Sequence, residues 1–364
     1  MNRFIMDYFN IILMVYDSRI KRLQKSMKSN FVIIASEDYN SNMFYFTGFK
    51  GYGVLIIPKK GKSSILATKL DSGNIKNKKL KLIVIEKKIA DILKKTVPKN
   101  KTIGFDLENL NTATYLRLKK TLNPRKVFDV SESLRKLREI KDNYEISQIK
   151  KASLEACDIM HKCLKQLHNF KYEYGIKHYL ESEVKRRGYD LAFDTIVASG
   201  KNASNPHYSS CKDKLRRGFL VIDFGIKVNG YCTDMTRTLF LGKPSEEEKE
   251  LYSKVLTVQK NCIKMITKKL INVVDEYARK ELGKEFIHSL GHGIGLDIHE
   301  TPRISYKNKS KLQSKVCFTI EPAVYKNNKY GIRIEDSLVK INNKVKILTP
   351  LTKELIIINN KVYK

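Results

Sequence analysis

Leu220-Val-Ile-Asp-Phe-Gly-Ile-Lys-Val-Asn-Gly-Tyr-Cys-Thr-Asp-Met-Thr-Arg237 is the most informative stretch of this 364-residue chain. Its centre, Asn229-Gly230, is the strongest short hairpin signal, because both central positions of a two-residue turn need positive φ, which asparagine and glycine accept. That turn sets a register in which Asp223 falls opposite Thr236 and Asp234 opposite Gly225. Side chains alternate along a strand, so Asp223 and Asp234 project from one sheet face as diagonal neighbours, roughly 7–8 Å apart at the backbone. Asp223 interrupts an apolar run, and a buried carboxylate costs several kcal/mol unless it is paired or metal-bound. A single Asp in a strand is equally well read as a satisfied core residue. Two at this separation can hold a pair of metal ions about 3.5–4 Å apart.

Three later residues join them. In Gly331-Ile-Arg-Ile-Glu335, alternation puts Ile332 and Ile334 on one side and Arg333 and Glu335 on the other. Glu321 ends the apolar run Val316-Cys-Phe-Thr-Ile-Glu321 and is followed by Pro322, which stops the strand. His292 lies in Gly291-His-Gly-Ile-Gly295, read as a flexible turn that lets its ring approach a crowded centre. Any one of the five has a bland reading as a core or rim charge. Together, four carboxylates and an imidazole at strand ends and glycine turns make a hard, oxygen-rich site suited to manganese, cobalt or iron, and to zinc.

Working outward, residues 31–35, 54–57, 64–67, 82–85 and 102–105 read as buried strands, with helices over 89–96 and 112–122, the latter capped by Asn111. The segment 59–62 reads as a hairpin turn. This alternation describes a compact α/β domain over 1–135, in which residues 1–13 are a candidate extension ahead of Met14, and no phosphate-binding loop follows any strand. From 136 to 364 the pattern is α+β: a helix from Asp142 to about His168, another over 173–187, strands near 193–198, 219–226 and 231–241, and a helix over 246–269 opened by the capping box Ser245 and Glu248. Short strands fill the last hundred residues.

Composition excludes several classes. Seventy basic against 38 acidic residues give a net charge of +32, but 55 of the basic residues are lysines spread along the whole chain and only 15 are arginines. Clustered arginine with aromatic stacking partners is missing, so the charge reads as lysine-rich surface rather than a nucleic-acid interface. The run from Phe4 to Tyr16 is too short to span a membrane, contains Asp7 and Asn10, and lacks the flanks of a signal peptide. Six cysteines without a C-x-x-C pair read as reduced thiols, so the expected location is cytoplasmic.

The ordered set 221–225, Thr233-Asp-Met-Thr-Arg237, His288-Ser-Leu-Gly-His-Gly-Ile-Gly-Leu-Asp-Ile-His299, Thr319-Ile-Glu-Pro322 and Arg333-Ile-Glu-Asp336 resembles the signature of the pita-bread metallopeptidases. Within them it is most similar to the prolidase and Xaa-Pro aminopeptidase branch. The first domain resembles the creatinase-type amino-terminal domain of that branch, though without a motif of comparable specificity. Creatinase itself and the chaperone-like and ribosome-associated members have lost the metal ligands, and methionine aminopeptidases usually lack the first domain.

The resemblance implies Asp223, Asp234, His292, Glu321 and Glu335 as ligands of two divalent ions, Mn²⁺ or Co²⁺ ahead of Zn²⁺ or Fe²⁺, with Asp234 and Glu335 bridging. It implies substrate contacts from His207, in Asn205-Pro-His207, and from His299; on their own these read as exposed loop histidines. His288 lines the pocket or supports it, and Arg333 braces the ligand carboxylates. Arg303, just past His299, is either a solvated charge or a clamp for the free carboxylate of a dipeptide. The implied activity is hydrolysis of the bond before proline, Glu321 taking the proton of the attacking water, by a dipeptidase (prolidase) first and an Xaa-Pro aminopeptidase second. A homodimer is implied by resemblance alone. The alternative of another class is an RNA- or ribosome-binding pita-bread protein. Residues 209–213 match no pattern of the family.

Overall fold

A computed structural model describes residues 3–75 and 77–359, residues 3–12 by backbone alone. Of the candidate extension, residues 1 and 2 lie outside the described residues, and from Arg3 the chain runs as a helix to Ser26. The chain divides into two compact units, Met1–Arg138 and Glu139–Lys364.

The first unit is built on a six-stranded mixed sheet in the order Lys81–Val84, Ser64–Ala67, Gly53–Pro58, Phe31–Ser36, Thr102–Phe105, Lys126–Asp129. The segment 59–62 joins antiparallel partners, with Ile56 paired to Ser64, as a hairpin turn requires. Asn111 accepts a hydrogen bond from the Thr114 backbone and opens the helix Thr112–Leu122. Three elements escaped the sequence reading: the short helices Ser41–Thr47 and Lys69–Ser72, and the edge strand Lys126–Asp129, whose pattern alternates too weakly to register.

In the second unit, Asp142 and Glu145 form a reciprocal capping box at the start of the helix Asn143–Lys165. The helix Glu173–Arg186 packs with it over a four-stranded sheet ordered Ile357–Ile358, Met235–Leu241, Gly218–Phe224, Ile196–Ser199. A five-stranded sheet runs Glu300–Ile304, Gly291–Gly293, Cys317–Ile320, Asp336–Ile341, Lys344–Ile347. The capping box of Ser245 and Glu248 forms as read, but the helix ends at Met265, and a further helix, Ile271–Leu282, follows where only strands were expected. Its Ile271, Val274, Ala278 and Leu282 enter the core at helical spacing, a period overlooked in a lysine-rich context. Five cysteines are buried and Cys211 is exposed, all with free thiols. Among the described residues no helix is long and apolar enough to cross a membrane.

Candidate metal centre

The Asn229-Gly230 turn takes φ of 51° and 88°, the double positive φ that the hairpin reading requires. Across it Lys227 pairs with Cys232, and further out Asp223 pairs with Thr236. Both strands of the longer pair, Gly218–Phe224 and Met235–Leu241, are buried along their whole length, so Asp223, within the first, and Asp234, just ahead of the second, lie inside at 9% and 6% exposure.

Glu335 sits between the strands Tyr330–Arg333 and Asp336–Ile341, its backbone N–H donating to the Thr236 carbonyl and its Oε2 accepting from Thr236 Oγ1 at 2.8 Å. Glu321 follows the strand Cys317–Ile320, with its N–H bound to the Leu290 carbonyl. His292 corrects the sequence reading. It lies in a short strand, Gly291–Gly293, rather than in a flexible turn, and the glycines are there for close approach. A Cβ on Gly291 would meet the Thr319 carbonyl oxygen at 2.1 Å, and one on Gly293 would meet that of Thr301 at 2.2 Å. The His292 Nδ1 lies 3.0 Å from the Gly293 carbonyl, which can only accept. In its neutral form, the one that ligates a metal, the ring therefore carries its proton on Nδ1 and turns a bare Nε2 toward Glu321 Oε1 at 3.4 Å and Asp234 Oδ2 at 3.6 Å.

One ligand atom each from Asp234, His292 and Glu335 falls within 4.8 Å of the others. Asp223 Oδ1, Asp234 Oδ1 and Glu335 Oε1 are buried and accept no hydrogen bond. Burial, then the charges of Asp223 and Glu321, pushes the Asp234 carboxyl well above the ordinary range. Burial, then Asp234, Glu321 and Asp223, does the same to Glu335. Orphaned oxygens converging among mutually repelling carboxylates and one bare imidazole nitrogen are the donor set a hard divalent cation satisfies, and these residues fit such an ion.

Behind the carboxylates lies a polar layer that sequence reasoning mostly missed. Arg333, buried, donates to Asp223 Oδ2 at 2.6 Å, to Thr236 Oγ1 at 3.0 Å and to the Tyr325 hydroxyl at 2.6 Å. That hydroxyl lies 3.2 Å from His288 Nε2, while His288 Nδ1 faces the Ser289 carbonyl at 2.8 Å. Tyr325 thus donates to a neutral His288, whose pKa burial pulls down. Ser337 Oγ accepts from the Asp234 N–H at 3.0 Å and donates to the Asp234 carbonyl at 2.7 Å, fastening one sheet to the other. Asp275 accepts from the Leu290 N–H at 3.0 Å and from Arg279 Nε at 2.6 Å. Arg279 in turn donates to the His288 carbonyl. The signal for this pair was an i, i+4 acid–base spacing on the helix that the sequence reading did not recognise.

His299 packs its ring against that of His292, with centroids 4.4 Å apart. Its pKa is lowered by burial first and then by His292, and His207 is near enough to contribute. His207 itself is exposed on the loop after the 3₁₀ turn Gly200–Ser204. Arg303 is exposed in the strand Glu300–Ile304, where its Nε donates to Ser289 Oγ at 2.7 Å. Among the described residues its guanidinium pairs with no carboxylate.

Comparison with known proteins agrees with this geometry. Residues 19–140 match the Creatinase/Prolidase N-terminal domain. The chain is 32% identical over 346 residues to the Xaa-Pro dipeptidase of Pyrococcus furiosus, covering 93% of this chain and 99% of that one. Among solved structures, the X-Pro aminopeptidase of Thermotoga maritima superposes with a TM-score of 0.84 at 31% identity, over 93% of this chain and 100% of that one. The Xaa-Pro dipeptidase of Bacillus anthracis superposes with a TM-score of 0.86 at 27% identity, over 95% and 100%. Residues 147–340, which carry every residue of the carboxylate and imidazole cluster, match Metallopeptidase family M24, and with that match over more than half its length the chain belongs to this family.

Proposed function

We propose that this protein is a metal-dependent Xaa-Pro peptidase, a dipeptidase (prolidase) in the first reading and an Xaa-Pro aminopeptidase in the second. The observation that carries it is the convergence of Asp234, His292 and Glu335, with orphaned buried oxygens on Asp223, Asp234 and Glu335, in a chain of family M24. Asp223, Asp234, His292, Glu321 and Glu335 would hold two divalent ions, Mn²⁺ or Co²⁺ in this reading, with Asp234 and Glu335 shared between them. When bound, such ions lower the pKa of water toward neutrality and polarise the scissile carbonyl. The catalytic work is assigned to residues 136–364, with 1–135 as a companion domain.

Glu321 takes the proton of the attacking water and passes it to the leaving proline nitrogen, a transfer that keeps one carboxylate as base and then as acid. His207 and His299 face the carbonyl oxygen as it gains charge. The lowered pKa of His299 leaves its ring neutral near pH 7, so it donates a hydrogen bond without adding a full charge beside the cations. Proline after the scissile bond removes the amide hydrogen on which ordinary peptidases rely. Arg303 has a guanidinium free to receive the terminal carboxylate of a dipeptide, which favours the dipeptidase reading.

The RNA- or ribosome-binding alternative has no use for a buried carboxylate cluster that is costly to keep. A cytoplasmic location rests on the buried free thiols, and a homodimer on resemblance alone. The test is hydrolysis of Gly-Pro, Ala-Pro and a longer Xaa-Pro peptide with Mn²⁺ or Co²⁺, alongside a salt-dependent RNA titration. Turnover of the dipeptides supports the first reading. No turnover with any metal removes it, and tight RNA binding alongside favours the alternative.

A further inference from the structure

Glu173 is fully buried at the start of the helix Glu173–Arg186, and among the described residues no cation forms an ion pair with it. A carboxylate in that position is expensive to keep, and here its compensation comes from the last residue of the strand Ile196–Ser199 and from the 3₁₀ turn that follows it. Its Oε1 accepts from the Ser199 backbone N–H at 2.6 Å and from Ser199 Oγ at 2.8 Å, and both oxygens lie 3.2 Å from Asn202 Nδ2. Asn202 Nδ2 also donates to the Tyr208 hydroxyl at 3.0 Å, and that hydroxyl donates to Asp213 Oδ2 at 2.7 Å. The circuit closes on the residue where it began, because the Glu173 backbone N–H donates to the Asp213 carbonyl at 3.0 Å. Ser210 fastens the returning limb, donating to the Val197 carbonyl and accepting from the Val197 N–H, both at 2.8 Å. At the apex, His207 N–H is held by Asn205 Oδ1 at 3.1 Å.

The geometry points to Glu173, Asn202 and Tyr208 as positioning residues that hold His207 over the metal centre by tying both limbs of the 199–213 loop to one helix start. This rests on the peptidase reading and on the role of His207 in it. Beyond the 3₁₀ turn Gly200–Ser204 the segment 205–213 has no strand pairing of its own to fix it, and a misplacement of about 1 Å in a group that meets the reacting atoms costs on the order of a hundredfold in rate. The helix start suits the carboxylate, since its dipole favours negative charge there. Residues 209–213, which match no pattern of the family, thereby acquire a purpose, since Ser210 and Asp213 anchor the far limb.

The test compares wild type, Tyr208→Phe, Glu173→Gln, His207→Ala and the double variant Tyr208→Phe/His207→Ala, all loaded with Mn²⁺, by kinetics on Ala-Pro and by hydrogen–deuterium exchange. Tyr208→Phe is expected to speed exchange across 203–211 and leave the strands 218–224 and 235–241 protected. It should lower kcat about tenfold with a smaller change in KM, yet change the rate by less than about twofold once His207 is alanine. Equal losses in both backgrounds, or unchanged exchange in the loop, would overturn the proposal. If wild type hydrolyses no Xaa-Pro peptide, or His207→Ala is as fast as wild type, the functional reading fails instead, and the exchange data still decide whether the circuit orders the loop. If Glu173→Gln does not fold, Tyr208→Phe, which deletes a single oxygen, carries the test.

Discussion

Arg333 Nη2 lies 2.6 Å from Asp223 Oδ2, both side chains being almost wholly withdrawn from solvent. The pair joins a strand of the first hairpin to the strand that leads into Glu335. It leaves Asp223 one bonded oxygen and one free oxygen, Oδ1, on the side of the cluster. Replacing Arg333 with methionine strands a buried carboxylate and removes a donor from Tyr325 and Thr236. The expected cost is about 3–5 kcal/mol. At about 2–4 °C per kcal/mol, calorimetry should show Tm falling by roughly 6–20 °C. A Tm within a degree or two of wild type would mean that Asp223 is not held by this arginine.

Asp234→Ala and Glu335→Ala should each abolish hydrolysis and lower the bound metal, because each residue is proposed to hold both ions. Elemental analysis finding two tightly held metals per chain in either variant contradicts the ligand assignment.

The metal-free protein should lose stability as pH rises. Burial and neighbouring carboxylates raise Asp234 and Glu335 above their unfolded values, which lie near about 4. Such groups stabilise the fold fully below the unfolded pKa, and that contribution is lost as pH climbs through the raised value. In EDTA, the Tm of wild type minus that of Asp234→Asn should therefore fall as pH rises above about 4, and saturating Mn²⁺ should abolish the trend. A difference that is flat with pH would show that the two carboxyls are not raised.

Gly293→Ala places a Cβ 2.2 Å from the Thr301 carbonyl oxygen and 2.9 Å from that of Glu300. Neither is the end of a flexible side chain, so the strands beside His292 must part, at about 1–3 kcal/mol or more. Lower Tm together with weaker metal binding is expected. Wild-type values for both would mean that the backbones are not in this contact.

Arg303→Ala should raise KM for Xaa-Pro dipeptides about tenfold to a hundredfold, the usual worth of a charged hydrogen bond. A tetrapeptide, whose terminal carboxylate lies elsewhere, should be nearly unaffected. Equal losses, or none, would retire the clamp and favour the aminopeptidase reading.

What the sequence determined by itself was whatever local chemistry dictates. A two-residue Asn229-Gly230 turn allows one register, so Asp223 had to face Thr236, and the pairing is found as read. Capping residues opened their helices where expected, at Asn111 and Ser245. Tertiary structure decided what depends on backbones distant in sequence. His292 looked like part of a flexible turn because its neighbours are glycines, and only the approach of Thr301 and Thr319 shows that those glycines make room in a sheet. Ser337, Thr236 and Tyr325 are ordinary polar residues in the sequence, and they matter because folding places their hydroxyls within 2.6–3.2 Å of the groups they orient. Glu173 was legible only as a residue in a helix. A buried carboxylate can be kept only where donors surround it, and its donors stand 26 and 29 residues further along the chain, at Ser199 and Asn202.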